Sequence, residues 1–257
     1  AGKSLDFREA RSGGERSLGL SEDLEIESCR DVYLQSCACI CEPFKADGFL
    51  YAKSGPKMSK KSGEFTFTVS FQSSRYNRSG VSVCIGIHAY VYSSAMKKWR
   101  SSNRSIGGAN TCLAGGQIGN LRKKQSWMEW DLASPELRSG KIQLAIEAVR
   151  NIVLPYFAAF EDVPEMCERL EREDVPSMGI EDRIDFLARY ATTQAVQNAV
   201  KQFVAEHEDE QLAFDISRAL NLLRRNEKLD RVSIADCRAV ARAIVMFDLD
   251  EKFVLGK

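Results

Sequence analysis

Between residues 64 and 92 the chain alternates apolar and polar positions with a period of two. Phe65, Phe67, Val69 and Phe71 are interleaved with Thr66, Thr68, Ser70 and Gln72, and Val81, Val83, Ile85, Ile87, Ala89 and Val91 with Ser82, Cys84, Gly86, His88, Tyr90 and Tyr92. Each run reads as a strand with one buried face, and the polar stretch 73–80 predicts that the two pair antiparallel. Shorter strands are expected at 49–53, before the Ser54-Gly55-Pro56 turn signal, and at 127–132, after a Gly-rich stretch from Gly107 to Gly119. A sheet of about four strands follows, with Ser54–Ser62 read as an insertion-like loop.

Elsewhere the period is helical. Leu24, Val32, Tyr33, Cys37, Ile40 and Phe44 predict a helix over 22–45, capped by Ser21 with Glu22, Asp23 and Glu25 in its first turn. Ser134-Pro135-Glu136 starts a second helix that runs towards Leu154, with Gly140 expected to kink or split it and Pro155 to end it. Further helices are expected at 164–172, 180–190, 193–206, 209–225 and 233–247, with Thr192, Asp209 and Ser233 as starts. The fold class is therefore α+β: an arm over 1–20, an α+β domain over 21–175, and a helical region over 176–257 packed on it.

The chain has 257 residues and equal numbers of acids and bases, 36 each. This neutrality hides an asymmetry. Residues 45–124 hold 14 Lys or Arg against Asp47 and Glu64 alone, an excess of +12, whereas residues from 161 onward hold 21 acids and 14 bases. A cationic block of this kind attracts phosphate or an acidic protein, or is answered by the acidic half of its own chain. The longest apolar runs, such as Ala243–Phe247, fall far short of the roughly 20 residues that cross a bilayer. The first residues do not read as a secretory signal, and a cytoplasmic setting is expected.

Catalytic motifs are not evident. Eight cysteines read as reduced thiols; Cys37, Cys39 and Cys41 alternate sides of a helix and cannot all face one metal ion. The Gly107-Gly108 and Gly115-Gly116 pairs lack the Lys-Ser/Thr of a phosphate loop. His88 and Cys84 share a strand face but stand about 13 Å apart, too far for a nucleophile and its base. The acidic groups around Glu206–Glu210 and Asp248–Glu251 read as solvated helix ends. No catalytic residue, metal site or cofactor is assigned.

What does stand out is the interleaving of aromatic and basic side chains. Tyr90 and Tyr92 lead into Lys97-Lys98-Trp99-Arg100, and Arg75 and Arg78 occupy the preceding turn. These eight residues are the candidate partner-binding set, for a protein surface first and for nucleic acid second.

The order of Asp47-Gly48-Phe49-Leu50-Tyr51, the strands ending at Gln72 and Tyr92, Gln117-Ile118-Gly119-Asn120-Leu121, Trp127, Trp130 and Val153-Leu154-Pro155-Tyr156-Phe157 resembles an uncharacterised bacterial domain family, over about residues 24–172. Members of that family include proposed immunity proteins of polymorphic toxin systems. The resemblance implies an α+β domain and a noncatalytic protein that binds a protein partner, such as a cognate toxin; it transfers no active site. The alternative is a nucleic-acid-binding protein that uses the basic 45–124 region.

Overall fold

The computed structural model describes residues 27–103, 105–173, 175–207, 210–229, 232 and 234–255. The expected arm over 1–20 and the starts at Ser21, Asp209 and Ser233 lie outside them.

Six strands form one antiparallel sheet: β1 (Leu50–Ala52), β2 (Lys57–Ser62), β3 (Phe65–Ser73), β4 (Cys84–Ser93), β5 (Cys112–Gln117) and β6 (Glu129–Asp131). Their order is β1-β2-β3-β4-β5, and β6 pairs with the first residues of β4 while β5 pairs with the rest. The expected β3–β4 pair is present, with Phe67 opposite Val91 and Val69 opposite Ala89.

Two strands were not anticipated. β2 lies in the supposed loop, and its single buried apolar residue, Met58, gives almost no alternation to detect. It is tied to β3 by a two-residue loop, Gly63-Glu64, with Gly63 at φ +56°, the residue a tight hairpin favours. β5 lies in the supposed Gly-rich turns. There Gly115, at φ +133°, passes so close to the carbonyl oxygen of Ala89 and the Cα of Tyr90 that no side chain fits. The glycines signal close strand approach rather than a turn. β4 also starts later than expected: Val81 is exposed in a turn closed by the Arg78–Ser82 bridge.

One face of the sheet is covered by helices. Phe65, Phe67, Val69 and Phe71 of β3 and Ile85, Ile87, Ala89 and Val91 of β4 are buried there. The helix α1 (Cys29–Cys41), capped by the Ser28 hydroxyl on the Asp31 amide, continues into a 3₁₀ turn over Glu42–Lys45. α3 (Pro135–Ala148) runs straight through Gly140, passes through a π-helical turn at Val149–Val153 and continues as α4 (Leu154–Glu161). Pro155 therefore does not end the helix. Its missing N–H and its clash with the carbonyl four residues back are absorbed by the widened turn. By length and composition the whole of Pro135–Glu161 could span a bilayer, contrary to expectation. Val149, Val153, Phe157 and Phe160 are nevertheless buried in the core, where Phe157 stacks on Phe67 at 4.8 Å between ring centroids.

The C-terminal part is helical: α5 (Val163–Arg172), α6 (Ile180–Tyr190), α7 (Thr193–Glu206), α8 (Glu210–Arg224), α9 (Ala235–Met246) and α10 (Glu251–Leu255). Phe186 of α6 reaches both Phe65 and Phe160, with centroids 6.4 Å away in each case. A helix not foreseen, α2 (Ser94–Ser102), follows β4 directly, capped by the Ser93 hydroxyl on the Met96 amide at 2.9 Å.

Candidate functional site: the open face of the sheet

The alternation that buries one face of β3 and β4 delivers the other side chains to the opposite face, and register then decides which of them meet. Tyr92 lies opposite Thr66, Tyr90 opposite Thr68 and His88 opposite Ser70. One strand further, Lys61 is opposite Thr66, Ser59 opposite Thr68 and Lys57 opposite Ser70. The face is thus three cross-strand rungs running from aromatic through hydroxyl to Lys, Ser and Lys, with about 10 Å between the aromatic and lysine columns.

The aromatic column is continuous. The ring centroids of His88 and Tyr90 are 6.3 Å apart and nearly parallel, those of Tyr90 and Tyr92 are 6.0 Å apart, and Trp127 stands edge-on to His88 at 6.4 Å. Trp127 is 63% exposed and donates its indole N–H to Glu129 at 3.0 Å. Gln117 fixes the loop before it, bonding the Gly119 amide with its side-chain oxygen and the Met128 carbonyl with its side-chain nitrogen. Beside Trp127 the column ends in a cleft of about 370 Å³ that includes Arg75, Tyr76, Cys84, Gly86 and Glu129. The guanidinium of Arg75 lies over the Tyr76 ring at 4.7 Å.

Burial sets the charge state of this face. It lowers the pKa of His88 and raises those of Tyr90 and Tyr92, so all three rings are neutral at neutral pH and the positive charge comes from the exposed Lys57 and Lys61. The His88 Nε2 is buried without a hydrogen-bond partner among the described residues, and its Nδ1 is 3.4 Å from the Tyr90 hydroxyl.

The eight residues singled out in the sequence do not form one patch. Arg75 and Arg78 precede β4 and Lys97–Arg100 follow it, so the two groups are separated by the length of the strand, about 30 Å. Tyr90 and Tyr92 lie between them on the open face. Lys97 and Lys98 are exposed, and Trp99 is partly buried against the core.

Arg100 does not belong in a partner-facing set. It is 3% exposed and its charge is used inside the molecule: it reaches Asp182 at 2.6 Å, Asp185 at 2.9 Å and the Asn110 carbonyl at 3.1 Å. Asp185 also accepts the amides of Ile106 and Gly107, at 2.7 and 2.9 Å. Burial pushes Asp182 up to about 6 and raises Asp185, with Arg100 opposing both shifts. Part of the basic block is therefore answered by α6.

Two thiols belong to this face: Cys84, whose sulfur lies 3.4 Å from the Ser82 hydroxyl, and Cys112, which pairs opposite Tyr92. Cys37 and Cys41 are buried on the inner side of α1 while Cys39 is exposed, as the helical period requires. Burial pushes the Cys37 and Cys41 thiols up to about 12. Among the described residues no group of three His, Cys, Asp or Glu side chains is placed to hold a metal ion.

Residues 40–159 match the domain of unknown function DUF4304. The matched stretch contains all six strands, and with them every side chain of the open face. It stops short of Asp182 and Asp185, so the carboxylates that hold Arg100 come from outside the DUF4304 match. No curated protein and no solved structure matches the chain.

Lys57, Lys61, His88 and Trp127 were missing from the sequence-derived set. The three rungs depend on β2, which the sequence pattern concealed. For His88 a signal existed: period two places it on the same face as Tyr90 and Tyr92.

Proposed function

We propose that this protein is a noncatalytic binding protein that engages an anionic macromolecule through the open face of its sheet. The observation that carries this reading is the contrast between the two faces. One is sealed by helices, while the other presents an ordered column of neutral rings with two exposed lysines alongside and Arg75 at its end. A half-buried aromatic surface rimmed by charge, with Trp127 exposed at its end, is typical of interaction sites. The noncatalytic part is supported by the raised pKa values of the buried Cys37 and Cys41 thiols, which hold them protonated and unreactive. No disulfide joins any of the eight cysteines, all of which lie among the described residues, and this favours a reducing setting such as the cytoplasm.

A cognate toxin, the partner implied by the sequence resemblance, would use the same surface if its docking face is acidic. The test is crosslinking of the full chain in cells that express it, amine-reactive for protein partners and ultraviolet for nucleic acid, mapped by mass spectrometry. Crosslinks should fall on Lys57, Lys61, Tyr90, Tyr92 and Trp127. Crosslinks confined to the helical side, for example Lys201 and Lys228, would refute the proposed surface, and substrate turnover by the purified protein would refute the noncatalytic role.

A further inference from the structure

Resting on the open face as the binding surface, we infer that its occupant is a single-stranded nucleic acid, with bases on the column His88, Tyr90 and Tyr92 and phosphates along Lys57 and Lys61. Three observations on different scales point the same way.

First, the rings are spaced for splayed bases. Alternate residues on one strand face repeat at about 6.8 Å, and the centroids stand 6.0 and 6.3 Å apart. That is twice the thickness of a stacked base, so each ring can take one base as an unstacked strand crosses the sheet, the mode in which single strands are read on aromatic side chains. A base-paired duplex cannot offer its ring faces to such a column.

Second, the rings are neutral and the cations are set to one side. Lys57 and Lys61 flank the first and third rungs at about 10 Å from the rings, with hydroxyls of Thr66, Thr68 and Ser70 between. A polyanion with apolar bases on one side and phosphates on the other fits this division. An acidic protein surface would use the lysines and pack on the rings, but it would not call for their regular repeat along the strand.

Third, the charge is local. The +12 excess lies within residues 45–124 although the whole chain is neutral. The part withdrawn inward at Arg100 still leaves the exposed Lys57, Lys61, Arg75, Arg122 and Lys124 on this block, giving the long-range attraction that a phosphate backbone needs.

The experiment is fluorescence anisotropy of the full chain with labelled 12-mers of oligo-U and oligo-dT, a 12-base-pair duplex, and heparin as competitor, at several salt concentrations. The single strands should bind more tightly than the duplex. The two single-stranded arms tell RNA from DNA. Tyr90→Ala and Tyr92→Ala should each weaken binding by about tenfold, whereas Tyr90→Phe and Tyr92→Phe, which keep the rings, should retain it. Lys57→Gln with Lys61→Gln should reduce the slope of log affinity against log salt by about 1.4. The same charge removed from the helical region, Arg225→Gln with Lys228→Gln, should not.

Failure of the oligonucleotides to bind, indifference to both Tyr→Ala changes, or duplex and heparin binding as tight as single-strand binding would each overturn the inference. If the oligonucleotides fail but an acidic protein is crosslinked at Lys57 and Lys61, the nucleic-acid inference falls and the open-face reading stands. If no partner of either kind is found on this face, both fall.

Discussion

Removing the Arg100 guanidinium should be one of the most damaging single changes outside the apolar core. Arg100 is the only cation that the structure places on Asp182 and Asp185 among the described residues, and Asp185 is fully buried. Deleting one side of a buried ion pair leaves the other charge unpaid in a poor solvent, at a cost of about 3–5 kcal/mol. Two features moderate this. Asp185 keeps the amides of Ile106 and Gly107, and the Asp182 side chain is 20% exposed, so Arg100→Ala should fall near the lower end, about 3 kcal/mol. The loss is also tied to pH. Arg100 opposes the burial that already pushes Asp182 up to about 6 and raises Asp185; without it both acids hold protons to still higher pH. The penalty should therefore be greatest at pH 7.5 and shrink towards pH 5, where protonation removes the stranded charges. Urea denaturation at the two pH values reads both effects, with Lys97→Ala and Lys98→Ala on the exposed side of the same helix expected to stay within about 0.5 kcal/mol of the parent. A loss below about 1 kcal/mol at pH 7.5, or an equal loss at both pH values, would show that the triad does not hold α2 to α6 in the way described.

Asp182→Asn isolates the titration: because the folded-state pKa of Asp182 is raised, its contribution to stability is complete below the unfolded aspartate value and is lost as pH rises through about 6. The parent should therefore lose stability relative to Asp182→Asn between pH 4 and 7, by on the order of 1–3 kcal/mol, and parallel pH profiles would refute the assignment. Phe67→Ala removes a ring that is buried against Phe157 and should cost about 3–5 kcal/mol, read as a fall in the denaturation midpoint. Gly115→Ala should destabilise by about 1–3 kcal/mol or more, since its φ of +133° is strained for any side chain and the added carbon meets the Ala89 backbone; an unchanged melting temperature would contradict the close approach of β5 to β4.

The local pattern by itself determined much of this protein. Period two in Phe65–Phe71 and Ile85–Val91 settled both strands and the face each would bury, because a pleated strand sends alternate side chains to opposite sides. Ser134-Pro135 and Thr192 fixed helix starts for the same kind of reason, a capping oxygen for an amide that the helix leaves unbonded. Only the tertiary structure decided the rest. β2 carries one apolar residue and β5 two glycines, so neither announces itself; each is a strand because a neighbouring strand satisfies its backbone, which is a property of the sheet and not of the segment. The same holds for the site. The sequence places Tyr90 and Tyr92 on one face, but the lysines beside them are about 30 residues away along the chain and arrive through two hairpins. Arg100 shows the converse, since its position among bases suggested a surface charge. Two carboxylates more than eighty residues later turn it inward, and long-range pairing of that kind leaves no mark on local periodicity.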